Sequence, residues 1–203
     1  MLGFTGYQQS VPDSPSSRDF FNRWRLPISF TSGRETPFSW IAPPWAWTTI
    51  NCDGSIRSSA TGYGTISHNH LSQAIFAIVG GTSDISILRM ELLAIKVGLH
   101  KAISLGLDQI QCQSDSLMVI NIINGHMKSP WPVMDILHII WDLRDSFRRI
   151  VFQFHIRESN FCADFLAGFA YTNQELHLCI SSVPNLLPDL LHKDAVGHRY
   201  FRL

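Results

Sequence analysis

Trp47-Thr48-Thr49-Ile50-Asn51-Cys52-Asp53-Gly54-Ser55 is the stretch on which the fold of this chain turns. β-Branched and aromatic residues run up to an Asp-Gly pair, the pattern of a strand that stops at a turn. Two segments of the same kind follow. One is Gly62-Tyr63-Gly64-Thr65-Ile66-Ser67, behind a glycine-containing loop; the other runs from Leu71 to Val79 and is closed by Gly80-Gly81. Three strands with no helix between them form an antiparallel meander.

The apolar period then lengthens from two to 3.6. Leu88, Leu92, Ile95, Leu99 and Ala102 form one stripe, which predicts a helix over 85–105 with Gly106 closing it. Ile110 to Gln113 is a short strand that runs into Ser114 and Asp115, both good N-cap types, and then a helix from Leu117 to Ile123 stopped by Gly125. Beyond Pro130-Trp131-Pro132, apolar positions from Val133 through Ile136, Leu137, Ile140 and Leu143 to Phe147 mark a longer amphipathic helix. Ile150 to Ile156 alternates as a strand, and 160–171 form a helix carrying Phe161, Phe165, Leu166 and Phe169. The order is βββ-α-β-α-α-β-α. It defines an α/β class: an antiparallel portion, then right-handed crossovers, closed as a mixed sheet flanked by helices.

With 203 residues and 45% hydrophobic content, the chain holds one domain with a real core and a tail or two. Formal net charge is zero, so no global basic field invites nucleic acid. The longest apolar run, Ala74 to Val79, is far short of a membrane span, and no signal segment opens the chain. Cys52, Cys112, Cys162 and Cys179 are widely spaced and read as buried, reduced thiols. That points to a reducing intracellular compartment, nucleus or cytoplasm. Residues 1–45 are rich in Ser, Pro and Arg and read as a poorly structured leader. Arg18, Arg23, Arg25, Arg34, Trp24 and Trp40 there either touch nucleic acid or are simply solvated.

Four carboxylates stand at informative places. Asp53 ends the first strand, and Asp115 lies at the carboxyl end of the fourth, where ligands bind in open α/β sheets. Glu91 borders the buried stripe of the first long helix, and Asp164 sits among apolar neighbours on the last. Singly, each has an ordinary reading: Asp53 as a turn residue, Asp115 as an N-cap, Glu91 paired with Arg89 or Lys96, Asp164 paired with Arg157. Taken together, acidic groups in apolar surroundings are costly unless they are paired or coordinate a metal. A divalent cation between the four satisfies them.

Five motifs carry a resemblance over about 47–171: Asn51-x-Asp53-Gly54-Ser55, Gly62-x-Gly64, Glu91-Leu92-x-Ala94-x-x-x-Gly98-Leu99, Ser114-Asp115-Ser116 and His155-x-Arg157-Glu158-x-Asn160-x-x-Ala163-Asp164-x-Leu166-Ala167. The tail echoes it weakly at Pro184, Leu190-Leu191, Asp194 and Gly197. Together they resemble the ribonuclease H-like, reverse-transcriptase-like domain of plants, a relative of non-LTR retrotransposon polyproteins. The resemblance implies a ribonuclease H-like fold: a five-stranded mixed sheet, three antiparallel strands then parallel additions, with helices on both faces. The domain would span 46–172, with a C-terminal extension containing a short helix over 173–203. Asp53, Glu91, Asp115 and Asp164 are then the catalytic, metal-binding carboxylates. They hold two Mg²⁺, with Mn²⁺ able to substitute, and the reaction hydrolyses the RNA strand of an RNA–DNA hybrid. His155 resembles the family's mobile histidine, and Asn51, Ser55 and Asn160 orient carboxylates or hold the sugar–phosphate backbone. The implied partner is the hybrid, bound by a monomer with no membrane contact.

Some positions depart from the family. Met90 stands where Ala is common, and His68-Asn69-His70 where an Arg-Asp pair is common. No basic handle is present. Over 47–171, nine Lys and Arg meet ten Asp and Glu, or nine against six once the four carboxylates are set aside. Lys101, Lys128, Arg144, Arg148, Arg149 and Arg157 supply that thin surplus. The alternative is a catalytically inactive, domesticated domain that binds nucleic acid or a protein partner.

Overall fold

The first strand runs straight through Asp53-Gly54. The computed structural model describes residues 11–12, 30–31, 37–57, 60–83, 86–170, 176–178 and 186–201. In it β1 (Thr48–Arg57) pairs antiparallel with β2 (Ala60–His68) as far as Arg57↔Ala60. Asp53 therefore lies within the strand, opposite Gly64, and the expected Asp-Gly turn is not formed. Gly54 provides room instead: a Cβ there would stand 2.6 Å from the backbone nitrogen of Glu91.

A similar correction applies to β3 (Ala74–Thr82), which runs through Gly80-Gly81 where a closing turn was expected. The space beside Gly80 is filled by the ring of Tyr63. At its other end the strand starts at Ala74, and Leu71, where it was expected to begin, lies in the turn before it. Asn69 Oδ1 accepts from the backbone N–H of Leu71 at 2.9 Å and of Gln73 at 3.0 Å, and Ser72 takes a φ of 60°.

The helical half follows the periodicity. α1 (Ile87–Ser104) begins at Ser86, whose Oγ accepts from Arg89 N–H at 3.3 Å, and is followed by Gly106 at a φ of 69°. Then come β4 (Gln109–Ser114), α2 (Leu117–Ile123), α3 (Met134–Arg144), β5 (Arg149–Phe154) and α4 (Phe161–Phe169). β4 is parallel to β1 and β5 to β4. The sheet has six strands, one more than expected: β6 (Leu176–Leu178) adds antiparallel to β3 at Ala77–Val79. Three residues are too few to show an alternating pattern. The sheet order is β5-β4-β1-β2-β3-β6, and α5 (Leu186–Ala195) follows in the tail.

Helices cover both faces. Ile50, Cys52 and Ile78 pack with Leu92, Ile95 and Leu99 of α1 and Leu137 and Ile140 of α3. On the other face Ile66, Ala77 and Val79 meet Cys162, Ala163 and Leu166 of α4 and Leu187 of α5. The strict alternation of strand side chains keeps the two layers separate. Each large aliphatic side chain fully buried here contributes roughly 1.5–3 kcal/mol. Both helix layers approach the sheet at glycines. α1 is seated at Gly54 and, through its own Gly98, against Thr65 and Ile50; α4 sits over Gly62 and Gly64.

Cys52, Cys112 and Cys162 are buried and free, while Cys179 lies outside the described residues. Among the described residues, no helix is long and apolar enough to cross a membrane. Most of residues 1–45, including Arg18, Arg23, Arg25, Arg34 and Trp24, also lie outside them. Val11–Pro12 pairs with Phe30–Thr31 in a unit of its own, separate from Ser39–Tyr200.

The seating of α4 yields a stability prediction. A Cβ at Gly64 would stand 2.4 Å from the backbone nitrogen of Ala167. Gly64→Ala is expected to cost about 2–3 kcal/mol, seen as a lower urea midpoint at unchanged m-value. A loss below about 0.5 kcal/mol, the range of indifferent surface changes, would show that the two elements are not in this contact.

Candidate metal centre

β1 and β4 part company just before Asp53. Their parallel ladder ends at Cys52↔Ser114, after which β4 gives way to α2 while β1 continues with β2. The parting leaves a notch at the carboxyl end of β4. Asp53 enters it from β1, Asp115 from the residue after β4, and Glu91 from α1. One oxygen from each of these three carboxylates lies within 4.8 Å of the others. Asp53 and Glu91 are 4% and 6% exposed, and Asp115 is half-buried.

Local bonding sets each position. Glu91 Oε2 accepts from Ser114 Oγ–H at 3.0 Å, and the backbone N–H of Gly54 donates to the same carboxylate. Ser114 Oγ in turn accepts from Ser116 N–H at 3.0 Å. The N-cap of α2 is Ser116, whose Oγ accepts from Val119 N–H at 3.4 Å. Neither Ser114 nor Asp115 caps the helix, as was expected of them. Ser114 holds Glu91 instead, and the Asp115 side chain is left to meet the Asp53 carboxyl by a hydrogen bond.

Burial and mutual repulsion push protons onto this cluster. Asp53 is raised far above the carboxylate range, by burial first and then by the charges of Glu91, Asp115 and Asp164. Burial and then Asp115 raise Glu91 to about 8, against the Ser114 and Gly54 hydrogen bonds that favour its charged form. Asp115 is raised as well, chiefly by burial. The donor set is oxygen only, and its negative charges are brought together out of water. Hard divalent cations satisfy such a set. The residues present fit a divalent metal site.

Asp164 stands at the edge of the cluster. Its Oδ1 is held by Arg157 Nη2 at 2.7 Å, and the guanidinium side is 71% exposed. The ordinary pairing open to Asp164 in the sequence is thus present. Its charge still acts on Asp53 and Asp115. His155 follows β5 on the same rim: its N–H donates to Ser114 O at 2.9 Å, and its Nδ1 lies 2.5 Å from Ser159 Oγ. Burial lowers its pKa below the ordinary imidazole value. Asn160 Nδ2 donates to Cys52 O at 3.0 Å, tying the start of α4 to β1 next to Asp53. Asn51 is buried with its amide engaged at both ends: Trp40 Nε1 donates to its Oδ1 at 3.1 Å, and its Nδ2 donates to Gln113 Oε1 at 3.0 Å. Ser55 is half-buried, two residues beyond Asp53 on the same face of β1.

Asn51, Gly54 and Ser114 fall within the family motifs, but the parts that Ser114 and Gly54 play in holding Glu91 were not read from the sequence, nor were Trp40 and Gln113 as partners of Asn51. Serine before Asp115 reads as a cap, and a glycine after Asp53 reads as a turn. Trp40 sits in a proline-rich stretch without periodicity.

A six-stranded mixed sheet of this order, with carboxylates in the notch beside its first strand, defines a ribonuclease H-like domain. Residues 51–170 match the family model described as reverse transcriptase-like, and the chain belongs to that family. Solved structures agree. The N-terminal RNase H domain of a Mycobacterium tuberculosis protein, solved as a fusion with maltose-binding protein, is 25% identical with a TM-score of 0.58 over 62% of this chain and 93% of that one. RNase H1 from the halophilic archaeon Halobacterium salinarum is 20% identical, with a TM-score of 0.58 over 61% and 96%. LC11-RNase H1, isolated from compost by a metagenomic approach and solved in complex with an RNA/DNA hybrid, is 19% identical, with a TM-score of 0.57 over 61% and 96%. No curated protein matches the sequence.

The raised carboxyls fix a pH dependence. Between the ordinary carboxylate pKa and the raised folded values, the folded chain holds protons that the unfolded chain has released. Their stabilisation is complete below about pH 4 and is lost as pH rises through the folded value of about 8 for Glu91. Thermal scans in chelator are expected to show Tm falling from about pH 5 to about pH 8. Asp53→Asn should flatten that fall and raise stability at the upper end by roughly 1–3 kcal/mol, by removing a carboxyl that ionises freely only in the unfolded chain. A wild-type Tm that climbs over this range contradicts the arrangement.

Proposed function

We propose that the chain is a divalent-metal-dependent endonuclease that hydrolyses the RNA strand of RNA–DNA hybrids. The observation that carries this is the convergence of Asp53, Glu91 and Asp115 oxygens within 4.8 Å at the carboxyl end of β4, in a ribonuclease H-like fold. Two relatives of that fold, LC11-RNase H1 and the foamy viral protease-reverse transcriptase, have themselves been solved with RNA/DNA hybrids.

Asp53, Glu91 and Asp115, with Asp164 turned from Arg157, would hold two Mg²⁺, or Mn²⁺ in their place. Bound there, the ions supply Lewis-acid polarisation of a phosphodiester and an acidified water. The remaining work belongs to the chain. Ser114 and Gly54 keep the Glu91 carboxylate aimed into the notch. Asn160 and the buried Asn51 amide hold β1 in place on either side of Cys52. Contact with Ser159 at Nδ1 leaves Nε2 of His155 as the ring atom that exchanges a proton, and burial keeps the imidazole neutral near pH 7. Ser55 is placed to meet the sugar–phosphate backbone, where 2′-hydroxyls distinguish RNA from DNA. The same proposal takes the active form as a monomer in a reducing intracellular compartment, descended from a plant retrotransposon polyprotein.

One observation favours the second reading, an inactive domain that binds nucleic acid or protein. Arg157 already occupies Asp164, the fourth carboxylate. A cleavage assay on a labelled hybrid with Mg²⁺ separates the two. The folded wild type is expected to cut the RNA strand, and Asp53→Asn or Glu91→Gln to lower kcat on the order of 10³-fold, about 4 kcal/mol of barrier. No cutting by folded wild type, or equal cutting by Asp53→Asn, overturns the enzymatic reading.

A further inference from the structure

Away from the notch, the second half of α1 lines a cavity. Lys96, His100 and Ser104 recur every four residues, with Val97 and Lys101 alongside, so all five share one helix face. His177, exposed on β6, also lines it. Sheet register explains why it does. Cys52, Thr65, Ile78 and His177 stand in one lateral row across β1, β2, β3 and β6. Residues paired directly across strands share a face, and Cys52 and Ile78 pack under α1. His177 therefore stands on the α1 side too. The row places it about 14 Å from Cys52, three strand spacings away. His100 is about 13 Å along the helix axis from Glu91.

The cavity has a volume of ≈ 330 Å³ and is lined by Lys96, Val97, His100, Lys101, Ser104 and His177. Among the described residues no carboxylate lines it. Lys96 and Lys101 are half-buried, and among the described residues neither enters an ion pair. Arg89, Arg144, Arg148 and Arg157 each meet an aspartate. In a chain with no net charge, two lysines at one cavity with no ion-pair partner among the described residues are a local feature, not an overflow of the whole. Ammonium groups donate three hydrogen bonds and accept none, and the exposed His100 imidazole adds a donor. Ser104 Oγ–H rests on Lys101 O at 2.8 Å and is a rotor. A ligand here must be anionic and rich in acceptors. Lysine ammonium groups bind phosphate as point charges, and two of them side by side suit a compact, multiply charged phosphate. The volume is at the lower end of small-ligand sites and takes such a group with a sugar attached.

We propose that the cavity between α1 and β6 is a binding site for a phosphate ester, held by Lys96, Lys101, His100 and His177. The ester comes either from a free mononucleotide or from the backbone of a nucleic-acid strand lying along this side of the domain. The site shares no residue with the carboxylate notch, so it stands or falls independently of hybrid cleavage.

The test is a titration in chelator, which removes metal-dependent binding at the notch. Inorganic phosphate, AMP and a short single-stranded DNA are the probes, with amide chemical shifts of α1 and β6 as readout. Saturable binding of phosphate is expected, weakened at least about tenfold in Lys96→Gln/Lys101→Gln and unchanged in Asp53→Asn. His177→Gln, on a different element, should weaken it as well, and thermal unfolding checks that each variant is folded. Displacement of phosphate by AMP alone assigns the site to a free ester. Displacement by the oligonucleotide assigns it to a strand, with the salt slope reduced by about 1 in the double lysine variant. Either outcome supports the site. No phosphate binding by the wild type, equal binding by the folded double variant, or displacement by neither probe overturns it. Hybrid cleavage, measured separately, reports on the notch alone.

Discussion

The whole site depends on how closely α1 lies on β1. A side chain at residue 54 would strike Glu91 N and the Cβ of Met90. Glycine there lets the first turns of the helix settle onto the strand, and its N–H then bonds to the carboxylate it has admitted. Met90, fully buried, fills the space beside that contact. Gly98 repeats the device two turns on, against Thr65 and Ile50. Two close approaches on one helix fix both its distance and its direction over the sheet. Glu91 is thus located by backbone packing, and the cost of glycine within a helix or strand, roughly 0.5–1 kcal/mol each, is accepted for that precision.

The second constraint is electrostatic. Folding brings Asp53, Glu91 and Asp115 together out of water, and the apolar packing of two helix layers compensates for their repulsion. A protein accepts such an arrangement where a ligand is to complete it. Arg157 sits at the margin of this field. It pairs with Asp164 at the exposed rim, and its charge favours ionised Glu91 and Asp115. The centre of the notch is left to oxygen.

Much of this was legible in the residues. The 3.6-residue stripe from Leu88 to Ala102 corresponds to α1 because that helix is amphipathic and long enough to show a period; the alternation from Ile150 located β5, which ends at Phe154 with that ring exposed. Asp53, Glu91, Asp115 and Asp164 were legible as a group because each was a costly residue in an apolar element and all four fell in family motifs; the first three converge, and Asp164 pairs with Arg157 at the rim. What misled was local chemistry with two uses. Asp53-Gly54 and Gly80-Gly81 look like turns, yet both glycines make room for a neighbour, a helix backbone in one case and the Tyr63 ring in the other. Of three polar residues in a row, Ser114, Asp115 and Ser116, only tertiary contacts decide which one caps the helix. Likewise, β6 exists because an edge was available to it and not because three residues favour a strand.

That edge has a consequence for where the domain ends. β3 is apolar through Phe76, Ala77, Ile78 and Val79, and it would otherwise present its outer backbone groups to any passing chain. β6 occupies them at Ala77–Val79. A fragment cut at residue 172, where the family motifs run out, keeps every carboxylate of the notch and strips this cover. Its failing would be self-association through an open sheet edge, so insolubility of a trimmed domain would say nothing about its chemistry.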